Sequence, residues 1–341
     1  MVITVTPLPL HLRHPFRIAH GTSTIRNNAL ITLGDGIGEA ALPPYYPTTF
    51  EDVKTYVEGV SHLLQDVMVS DPLELIATLD RLPKGPSPAK AAIDQALHDL
   101  WGKRLGLPLY KLLGLSQKHI PASSYALPIP ESLEHLDQQL ATLLDFPFLK
   151  LKLGSGDVEM DLAITRRTRE QYAGQLCVDV NGGWTLDQAV WAIPAMHELD
   201  LVFVEQPIRP KENDEWHLLK RLLPEASPPL IADESVQGLD DIFELAGAVQ
   251  GINIKLAKCG GIRMAQQMIS LARSLDMSVM LGCMIESSVA LTAAAHLGAL
   301  VDYLDLDGQL HLAQDPFSGL SFNSGVITLP ERPGLGVVPV H

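Results

Sequence analysis

The pattern of apolar and polar positions changes near residue 115 and divides the chain into two parts. In the first part, β-forming residues cluster at Val2–Leu10 and Asn28–Leu33, and the Gly-Asp-Gly turn that follows predicts a hairpin. Helical periodicity follows in three segments: Phe50–Val69, Pro72–Leu79 and Ala89–Leu105. Strands followed by a block of helices predict a separate α+β domain over residues 1–115.

After residue 115, short apolar runs alternate with amphipathic stretches such as Leu186–Leu199 and Arg263–Leu275. The runs are SSYALPI, FLKLKLG, QLCVDVN, LVFVEQP, PLIADES, GINIKLAK, SVMLGC and YLDLDG. Strands that alternate with helices in this way predict a parallel (β/α)8 barrel over residues 116–310. Residues 311–341 are rich in Pro and Gly, and we expect this segment to return to the N-terminal domain.

The composition limits the partners that the chain can bind. Its 341 residues carry 40 Asp and Glu against 25 Lys and Arg, a net charge of −15, which disfavours nucleic acids and anionic membranes. Three widely spaced cysteines (Cys177, Cys259 and Cys283) fit neither a disulfide framework nor a zinc site. No apolar run is long enough for a signal peptide or a membrane helix, so we expect a soluble cytoplasmic protein. The number of subunits stays open, and a homo-oligomer is compatible with the sequence.

Ionisable residues recur at the ends of five consecutive runs. Lys152, Asp179, Glu205, Asp233 and Lys258 follow one another at intervals of 27, 26, 28 and 25 residues, about the length of one βα unit. One such residue alone is usually a helix cap or part of a turn. Five in step, in the order of one cation, three anions and one cation, favour a common site at the carboxyl ends of the strands, where barrel enzymes have their active sites.

The charges of these five residues predict a particular chemistry. Three carboxylates at one rim would repel each other without a cation between them, and oxygen ligands without neighbouring His or Cys favour Mg²⁺ over zinc. We expect the cation and partial burial to lower the pKa of the lysines, so that a neutral amine can act as a base. The metal would neutralise a substrate carboxylate and stabilise the enediolate formed when the adjacent carbon loses its proton. Lysines on opposite sides of that carbon would invert its configuration.

The motifs FLKLKLG, VDVNGGW, VFVEQP, IADES and NIKLAKCGG resemble those of the enolase superfamily, in its muconate-lactonizing subgroup, over essentially the whole chain. The resemblance implies a barrel with an N-terminal α+β capping domain that the C-terminal segment completes. It also implies that Asp179, Glu205 and Asp233 bind Mg²⁺. By the same resemblance Lys152 is one acid/base catalyst, and Lys150 polarises the substrate carboxylate and lowers the pKa of Lys152.

The resemblance assigns the opposing catalyst to Lys258, which precedes a Cys-Gly-Gly sequence. Lys255 lies in the same run and is the alternative if the register differs by a few residues. Asn181 and Glu234 resemble residues that orient the metal ligands, and a purely structural role is equally compatible with their positions.

The last run of the barrel selects among the reactions of the subgroup. Asp305 and Asp307 resemble the Asp-x-Asp motif of dipeptide epimerases, which binds the terminal ammonium of the substrate. Two carboxylates on the same face of a strand end are also physically suited to bind a cation. A solvated turn before Gly308 is the structural alternative. The resemblance, which LGCMIESS shares, implies a dipeptide epimerase that inverts the C-terminal residue. The alternatives are N-acylamino-acid racemase, o-succinylbenzoate synthase or muconate cycloisomerase on the same scaffold, and a carboxylate-binding protein without activity.

We expect two loops of the capping domain to set side-chain specificity: residues 19–23 and 43–49. In the Ala-Glu epimerases of the family an arginine of the first loop pairs with an acidic side chain. Gly21 aligns with this arginine here, although Arg26 is close in sequence. Tyr45 and Tyr46 in the second loop predict an apolar or cation-holding wall, unless they pack on the capping domain itself. These residues together favour a hydrophobic dipeptide.

Overall fold

The computed structural model of the chain describes residues 2–64, 71–210 and 213–340. Its strands are β1 Ile3–Ile18, β2 Gly21–Leu33, β3 Gly36–Ala40, β4 Tyr125–Leu127, β5 Phe148–Lys152, β6 Gln175–Asp179, β7 Leu201–Glu205, β8 Leu230–Ala232, β9 Gly251–Ile254, β10 Ser278–Gly282, β11 Tyr303–Asp305, β12 Phe317–Ser318, β13 Ser321–Asn323, β14 Val326–Thr328 and β15 Val338–Pro339. Its helices are α1 Phe50–Leu64, α2 Pro72–Arg81, α3 Ser87–Leu105, α4 Leu109–Leu112, α5 Leu133–Leu140, α6 Val158–Gln171, α7 Leu186–Ala195, α8 Asn213–Leu222, α9 Leu239–Leu245, α10 Leu256–Cys259, α11 Ile262–Ser274 and α12 Ser288–Ala295. The last five residues of the predicted helix Phe50–Val69 lie outside the described residues.

Strands β1, β2 and β3 form an antiparallel sheet in this order. The predicted hairpin at the Gly-Asp-Gly turn joins β2 to β3. Strands β1 and β2 extend beyond the predicted segments Val2–Leu10 and Asn28–Leu33, because their pairing continues from Ile3–Leu33 to Ile18–Gly21 at the tip of a second hairpin. The prolines in β1 are tolerated because β1 is an edge strand, where a missing N–H breaks no ladder. The predicted first loop is therefore the tip of this hairpin and the beginning of β2.

Helix α3 joins the antiparallel sheet to the rest of the protein. It lies directly on β3, where a side chain at Gly38 would place its Cβ 2.0 Å from the carbonyl oxygen of Ala92. The helix covers the predicted segment Ala89–Leu105, and most of its apolar side chains are buried. On its other side, the carboxylate of Asp94 accepts hydrogen bonds from the backbone N–H groups of Ile262 (2.8 Å) and Arg263 (3.1 Å) at the start of α11. The antiparallel sheet is thus held close to one rim of the second sheet.

Strands β4 to β11 form one parallel sheet in chain order. A parallel bridge between Ser123 and Leu304, with a 2.8 Å hydrogen bond from the N–H of Ser124 to the carbonyl of Leu304, joins its two edges into a barrel. Each of the eight predicted apolar runs contains one of these strands, so the predicted barrel fold is confirmed. Inside the barrel, aromatic and apolar side chains such as Phe148 and Phe203 fill the bottom, which leaves the polar side chains to the carboxyl ends of the strands.

The C-terminal segment contacts both parts of the chain. The backbone N–H of Ala313 donates to the carbonyl of His11 in β1, and that of Leu109 donates to the carbonyl of Gly334, both at 2.8 Å. Strand β13 pairs with β14, and the N–H of Ser123 beside the barrel donates to the carbonyl of Gly325. The domain boundaries near residues 115 and 310 stay a prediction. None of the helices in the described part of the chain is both long and apolar enough to cross a membrane.

Candidate active site

Three buried carboxylates converge at the carboxyl ends of β6, β7 and β8. Asp179 and Glu205 are the last residues of their strands, and Asp233 directly follows β8. Each residue contributes one carboxylate oxygen to a group of three oxygens that all lie within 4.8 Å of one another. All three residues are fully buried. The equal spacing of the βα units brings these side chains together, because neighbouring parallel strands end at the same rim.

The donor set fits a magnesium ion. Oxygen ligands around Mg²⁺ at its preferred distance are separated by about 3 to 4 Å, close to the spacing of the three carboxylates. The amide of Asn253 donates to Glu205 Oε1 (2.8 Å), and the backbone N–H of Asn181 donates to Asp179 Oδ1 (2.9 Å). These hydrogen bonds fix the orientation of two of the carboxylates. The three carboxylates would therefore hold a hard divalent cation between them.

Lysine side chains lie against these carboxylates. Lys152 Nζ is 2.6 Å from Asp179 Oδ2, whereas Lys150 Nζ contacts Asp179 Oδ2 (3.2 Å) and Glu205 Oε2 (2.7 Å). On the other side of the barrel, Lys255 Nζ is 2.7 Å from Asp233 Oδ2. Each lysine is thus an ammonium partner of at least one carboxylate that would bind the metal.

These ion pairs determine the pKa values of the site. Burial raises the pKa of Asp179, but the charges of Lys152 and Lys150 outweigh burial and hold it at about 2. Burial and the repulsion by Asp179 raise the pKa of Glu205 to about 8. For Lys152, burial lowers the pKa, yet the charge of Asp179 more than compensates and the pKa lies above its ordinary value. Among the protein groups the carboxylates therefore dominate the pKa of Lys152, and the lowering expected from a bound cation stays a prediction.

The structure favours Lys255 over Lys258 as the second reactive lysine. Lys255 directly follows β9 and lines the cavity at the rim, as Lys152 does on β5. Lys258 lies one turn later in α10, and its Nζ donates to the backbone carbonyl and to Oδ1 of Asp233 and to the carbonyl of Asn253 (3.2 Å). It is not among the residues of the cavity wall. We therefore propose Lys255 in place of Lys258 as the opposing catalyst, because Lys258 supports a carboxylate from behind.

Asp305 and Asp307 both line the same cavity and are buried, which excludes the alternative of a solvated turn. Asp305 accepts hydrogen bonds from Ser124 Oγ (2.6 Å) and Lys150 Nζ (2.8 Å), so both of its oxygens have partners. Asp307 accepts from the N–H of Ala126 (2.6 Å) and pairs with His311 Nε2 (3.0 Å), and both contacts involve Oδ2. Of the two, Asp307 is the better placed to receive a further cation.

Asn181 and Glu234 form a hydrogen-bonded chain that begins at the candidate metal ligand Asp179. Asn181 Nδ2 lies 3.0 Å from Glu234 Oε1 and 3.3 Å from Asp179 Oδ2. His20, at the tip of the β1–β2 hairpin, approaches the same Glu234 oxygen to 3.6 Å. The pair therefore connects a candidate metal ligand to the hairpin, and the role that the resemblance implies for it stays a prediction.

The antiparallel sheet closes the cavity from above. The wall of the cavity includes residues of both strands of the hairpin, namely Phe16 and Ile18 of β1 and Arg26 of β2. It also includes Tyr45 of the second predicted loop and Met284 with its neighbours after β10. Tyr45 stacks on the ring of His20 (4.8 Å between centroids). Gly21 is not part of this wall, and Tyr46 packs instead on an apolar cluster that includes Met284.

Sequence reasoning missed Phe16, Ile18 and the buried pair of Glu39 and Glu286. Burial, with the repulsion between the two carboxylates, raises the pKa of Glu286 to about 8, and Glu39 accepts hydrogen bonds from Ser287 and Asn28. These contacts join β3 to the segment after β10. The sequence offered one indication of this contact, because Glu39 stands in the apolar strand segment GIGEA, where a charged side chain needs a buried partner.

The similarity of the chain to known proteins extends over nearly its whole length. Residues 1–114 match the family model for the N-terminal domain of mandelate racemase / muconate lactonizing enzyme, and residues 133–340 match the enolase C-terminal domain-like model. The chain is 38% identical to an L-Ala-D/L-Glu epimerase of Bacteroides thetaiotaomicron, with 100% of this chain and 88% of that protein covered. It is 35% identical to a hydrophobic dipeptide epimerase of Roseobacter litoralis, with 97% of each covered.

A solved structure shows the same architecture. The dipeptide epimerase from Enterococcus faecalis complexed with Mg and the dipeptide L-Leu-L-Tyr superimposes with a TM-score of 0.89 at 30% identity, over 98% of each chain.

Proposed function

Because the chain belongs to the mandelate racemase / muconate lactonizing enzyme family of the enolase superfamily and is an isomerase of the racemase and epimerase type, we propose that it is a magnesium-dependent dipeptide epimerase. The reaction inverts the α-carbon of the C-terminal residue by moving one proton between two lysines. The relatives act on dipeptides according to their names, and one related structure holds Mg and a dipeptide.

The observation that carries this proposal is the position of the two cavity lysines. Lys152 ends β5 and Lys255 follows β9, and these strands are four places apart in the order of the eight-stranded barrel. Strands four places apart in such a barrel face each other, so the two ammonium groups approach the cavity from opposite sides. A carbon atom held between them can lose a proton on one face and gain one on the other, which is the geometry that inversion requires.

The proton balance of the reaction involves only these two side chains and the substrate. One lysine begins as a neutral amine and the other as an ammonium. The amine takes the α-proton, and the electron pair of the broken C–H bond moves into the adjacent carboxyl group. The opposing ammonium then gives its proton to the other face of the carbon, so that the two lysines have exchanged roles. Inversion in the reverse direction uses the same groups in the opposite order.

The carboxylates at the rim would hold the magnesium ion, and Lys150 would support them. Asp179, Glu205 and Asp233 are the three candidates that the structure brings together. When bound, the ion neutralises the carboxylate of the substrate and lowers the energy of the charge that develops there. Lys150 adds a fixed positive charge beside two of these carboxylates, and its repulsion opposes, without outweighing, the effect by which Asp179 raises the pKa of Lys152.

The free ammonium of a dipeptide has a partner at the end of β11. Asp305 and Asp307 place two buried carboxylates in the cavity wall, and Lys150 occupies an oxygen of Asp305. Asp307 is therefore the main candidate for the ammonium. A substrate without an amine, such as an N-acylated amino acid, would leave this carboxylate with the N–H of Ala126 and His311 as its partners and would lose the charge-assisted hydrogen bond of an ammonium.

The proposal is tested with the purified protein, Mg²⁺ and two matched sets of substrates. One set contains L-Ala-L-X dipeptides and the other contains the same amino acids as N-acetyl derivatives, and chiral chromatography after hydrolysis reports the configuration of residue X. We expect D-X from the dipeptides, unchanged L-Ala, and a kcat/KM at least about tenfold lower for the N-acetyl compounds. Faster racemisation of the N-acetyl compounds, or no inversion of any dipeptide, would contradict the proposal.

A further inference from the structure

His311 is an imidazole that contacts the carboxylate at which the substrate ammonium is proposed to bind. Its Nε2 lies 3.0 Å from Asp307 Oδ2, and only 10% of the His311 side chain and 5% of the Asp307 side chain are exposed. Phe16 meets the imidazole edge-on, with 4.6 Å between the ring centroids, and the ring of Tyr125 lies at 5.3 Å. These aromatic contacts hold the imidazole in position beside Asp307.

The hydrogen bond to Asp307 identifies which proton of His311 can leave. A carboxylate accepts hydrogen bonds, so Nε2 keeps its proton whether the ring is neutral or charged. Nδ1 has no hydrogen-bond partner among the described residues. The ring also borders a second cavity, which lies between the β1–β2 hairpin and α5. Gain or loss of the Nδ1 proton therefore changes the charge of His311 without breaking its hydrogen bond to Asp307.

The other charged and titratable groups around His311 do not replace Asp307 as its counter-ion. Beside the second cavity these groups are Arg13, His14 and Arg17 of β1, Tyr125 of β4, and Glu131 and His135 at the start of α5. In the wall of the reaction cavity they are Arg26, Lys152, Lys255, Asp305 and Cys283. Basic side chains predominate in both sets, and among the described residues Asp307 is the one carboxylate that pairs with His311. The charged form of the imidazole thus depends on Asp307.

A bound ammonium would change the balance of charges at this pair. When His311 is protonated, its charge balances that of Asp307, and Asp305 is already paired with Lys150. An ammonium added to these pairs would leave one positive charge in excess at a buried place, which is unfavourable. When His311 is neutral, the ammonium supplies the charge that Asp307 lacks. Binding of the ammonium and protonation of His311 therefore oppose each other.

We propose that protonated His311 is the counter-ion of Asp307 in the unliganded protein, and that it releases its Nδ1 proton when the ammonium of a dipeptide binds. This inference rests on the proposed function and adds a positioning residue to its ammonium site. The charge balances, because one cation arrives as a proton leaves for the solvent. Histidine is the side chain that ordinarily changes charge between about pH 5 and 8, so dipeptides bind more weakly as the pH falls through this range.

The first test measures proton release by the unaltered protein with Mg²⁺, using titration calorimetry in buffers that differ in their heat of ionisation. The ligand is an equilibrated mixture of L-Ala-L-X and L-Ala-D-X, where X is the residue inverted fastest, because such a mixture undergoes no net reaction. The matching N-propionyl derivatives of L-X and D-X lack only the ammonium. At pH 6 the dipeptides should release about half a proton more than the N-propionyl compounds.

The outcomes of this test separate the inference from the function on which it rests. No proton release by the dipeptides, or equal release by both kinds of ligand, overturns the inference and leaves the epimerase function intact. If no dipeptide is inverted, the epimerase function is overturned together with the inference.

The second test assigns the released proton to His311. In His311→Gln the side-chain amide can still donate to Asp307 but cannot change its charge, so we expect the release at pH 6 to disappear. From pH 7 to pH 5.5 the Kd of the dipeptides should rise about fivefold or more in the unaltered protein, and about twofold or less in the variant.

His14→Gln is the matched control. His14 is exposed, borders the second cavity, and has no contact with Asp307 among the described residues. The control should release protons as the unaltered protein does. Release that persists in His311→Gln, or an equal loss of release in both variants, overturns the assignment.

Discussion

Replacing Lys255 and Lys258 separately by methionine distinguishes a lysine that transfers a proton from one that supports the site. Both are buried, both contact Asp233, and they are only three residues apart. Methionine removes the amine in each case and retains most of the volume of the side chain. The two variants therefore differ mainly in which contacts of the ammonium are lost.

The expected magnitudes follow from those contacts. Lys255 faces the cavity, and the loss of a general acid or base typically lowers kcat by about 10²- to 10⁴-fold. Lys258 donates hydrogen bonds to two oxygens of Asp233 and one of Asn253, and buried acceptors left without a donor cost about 1–3 kcal/mol in the free energy of unfolding. We thus expect a large loss of kcat in Lys255→Met and a mainly structural loss in Lys258→Met.

The assays are the initial rate of epimerisation at saturating substrate and unfolding in urea followed by circular dichroism. Lys258→Met should have the lower urea midpoint and should retain at least about ten times the kcat of Lys255→Met. The reasoning is refuted if Lys258→Met loses more than 100-fold in kcat at unchanged stability while Lys255→Met stays near the original rate.

Three further predictions concern other parts of the structure. Asp307→Asn should lower kcat/KM for free dipeptides by about tenfold or more and should affect N-acetyl substrates less. Steady-state kinetics with both kinds of substrate measures the two losses, and equal losses would contradict the prediction. His296 accepts a hydrogen bond from the N–H of Tyr110, and burial lowers its pKa to about 4 from 6.5, so the unfolded state binds more protons between these values. The contribution of His296 to the free energy of unfolding is therefore present above pH 6.5 and is lost as the pH falls towards 4, by about 3 kcal/mol in all. In His296→Asn the urea midpoint should depend less steeply on pH over this window. Parallel curves for the variant and the unaltered protein would exclude this explanation. A chelator should stop epimerisation and Mg²⁺ should restore it, and Mg²⁺ should raise the melting temperature of the unaltered protein but not of Asp179→Asn; an equal rise in both proteins would remove Asp179 from the ligand set.

The barrel and the candidate metal ligands were predictable because they depend on repetition. Strands of one barrel end at the same rim, so equal spacing along the chain translates directly into proximity for Asp179, Glu205 and Asp233. The same regularity led to Lys258 instead of Lys255, the lysine that lines the cavity. The unit between β8 and β9 contains the short helix α9, so the next residue at the rim, Lys255, comes 22 residues after Asp233 rather than 25.

The wall formed by the antiparallel sheet was not predictable in the same way. Along β2 the buried positions change phase, from Arg26 and Asn28 near the tip to Ala29 and Ile31 near the base. The tip is covered by the barrel and the base by the helices of the N-terminal part, and only the packed structure shows where one cover ends and the other begins. Local alternation in a strand gives the two faces but not what lies against each of them.

The central claim is that Lys152 and Lys255 act on opposite faces of one carbon atom, and α-proton exchange in heavy water tests it most directly. In the unaltered protein with Mg²⁺, nuclear magnetic resonance should show deuterium entering the C-terminal α-position of both the L,L and the L,D dipeptide. Lys152→Ala should retain exchange with only one of these epimers, and Lys255→Ala with only the other. Exchange of both epimers in either variant, or loss of the same epimer in both, would contradict the account.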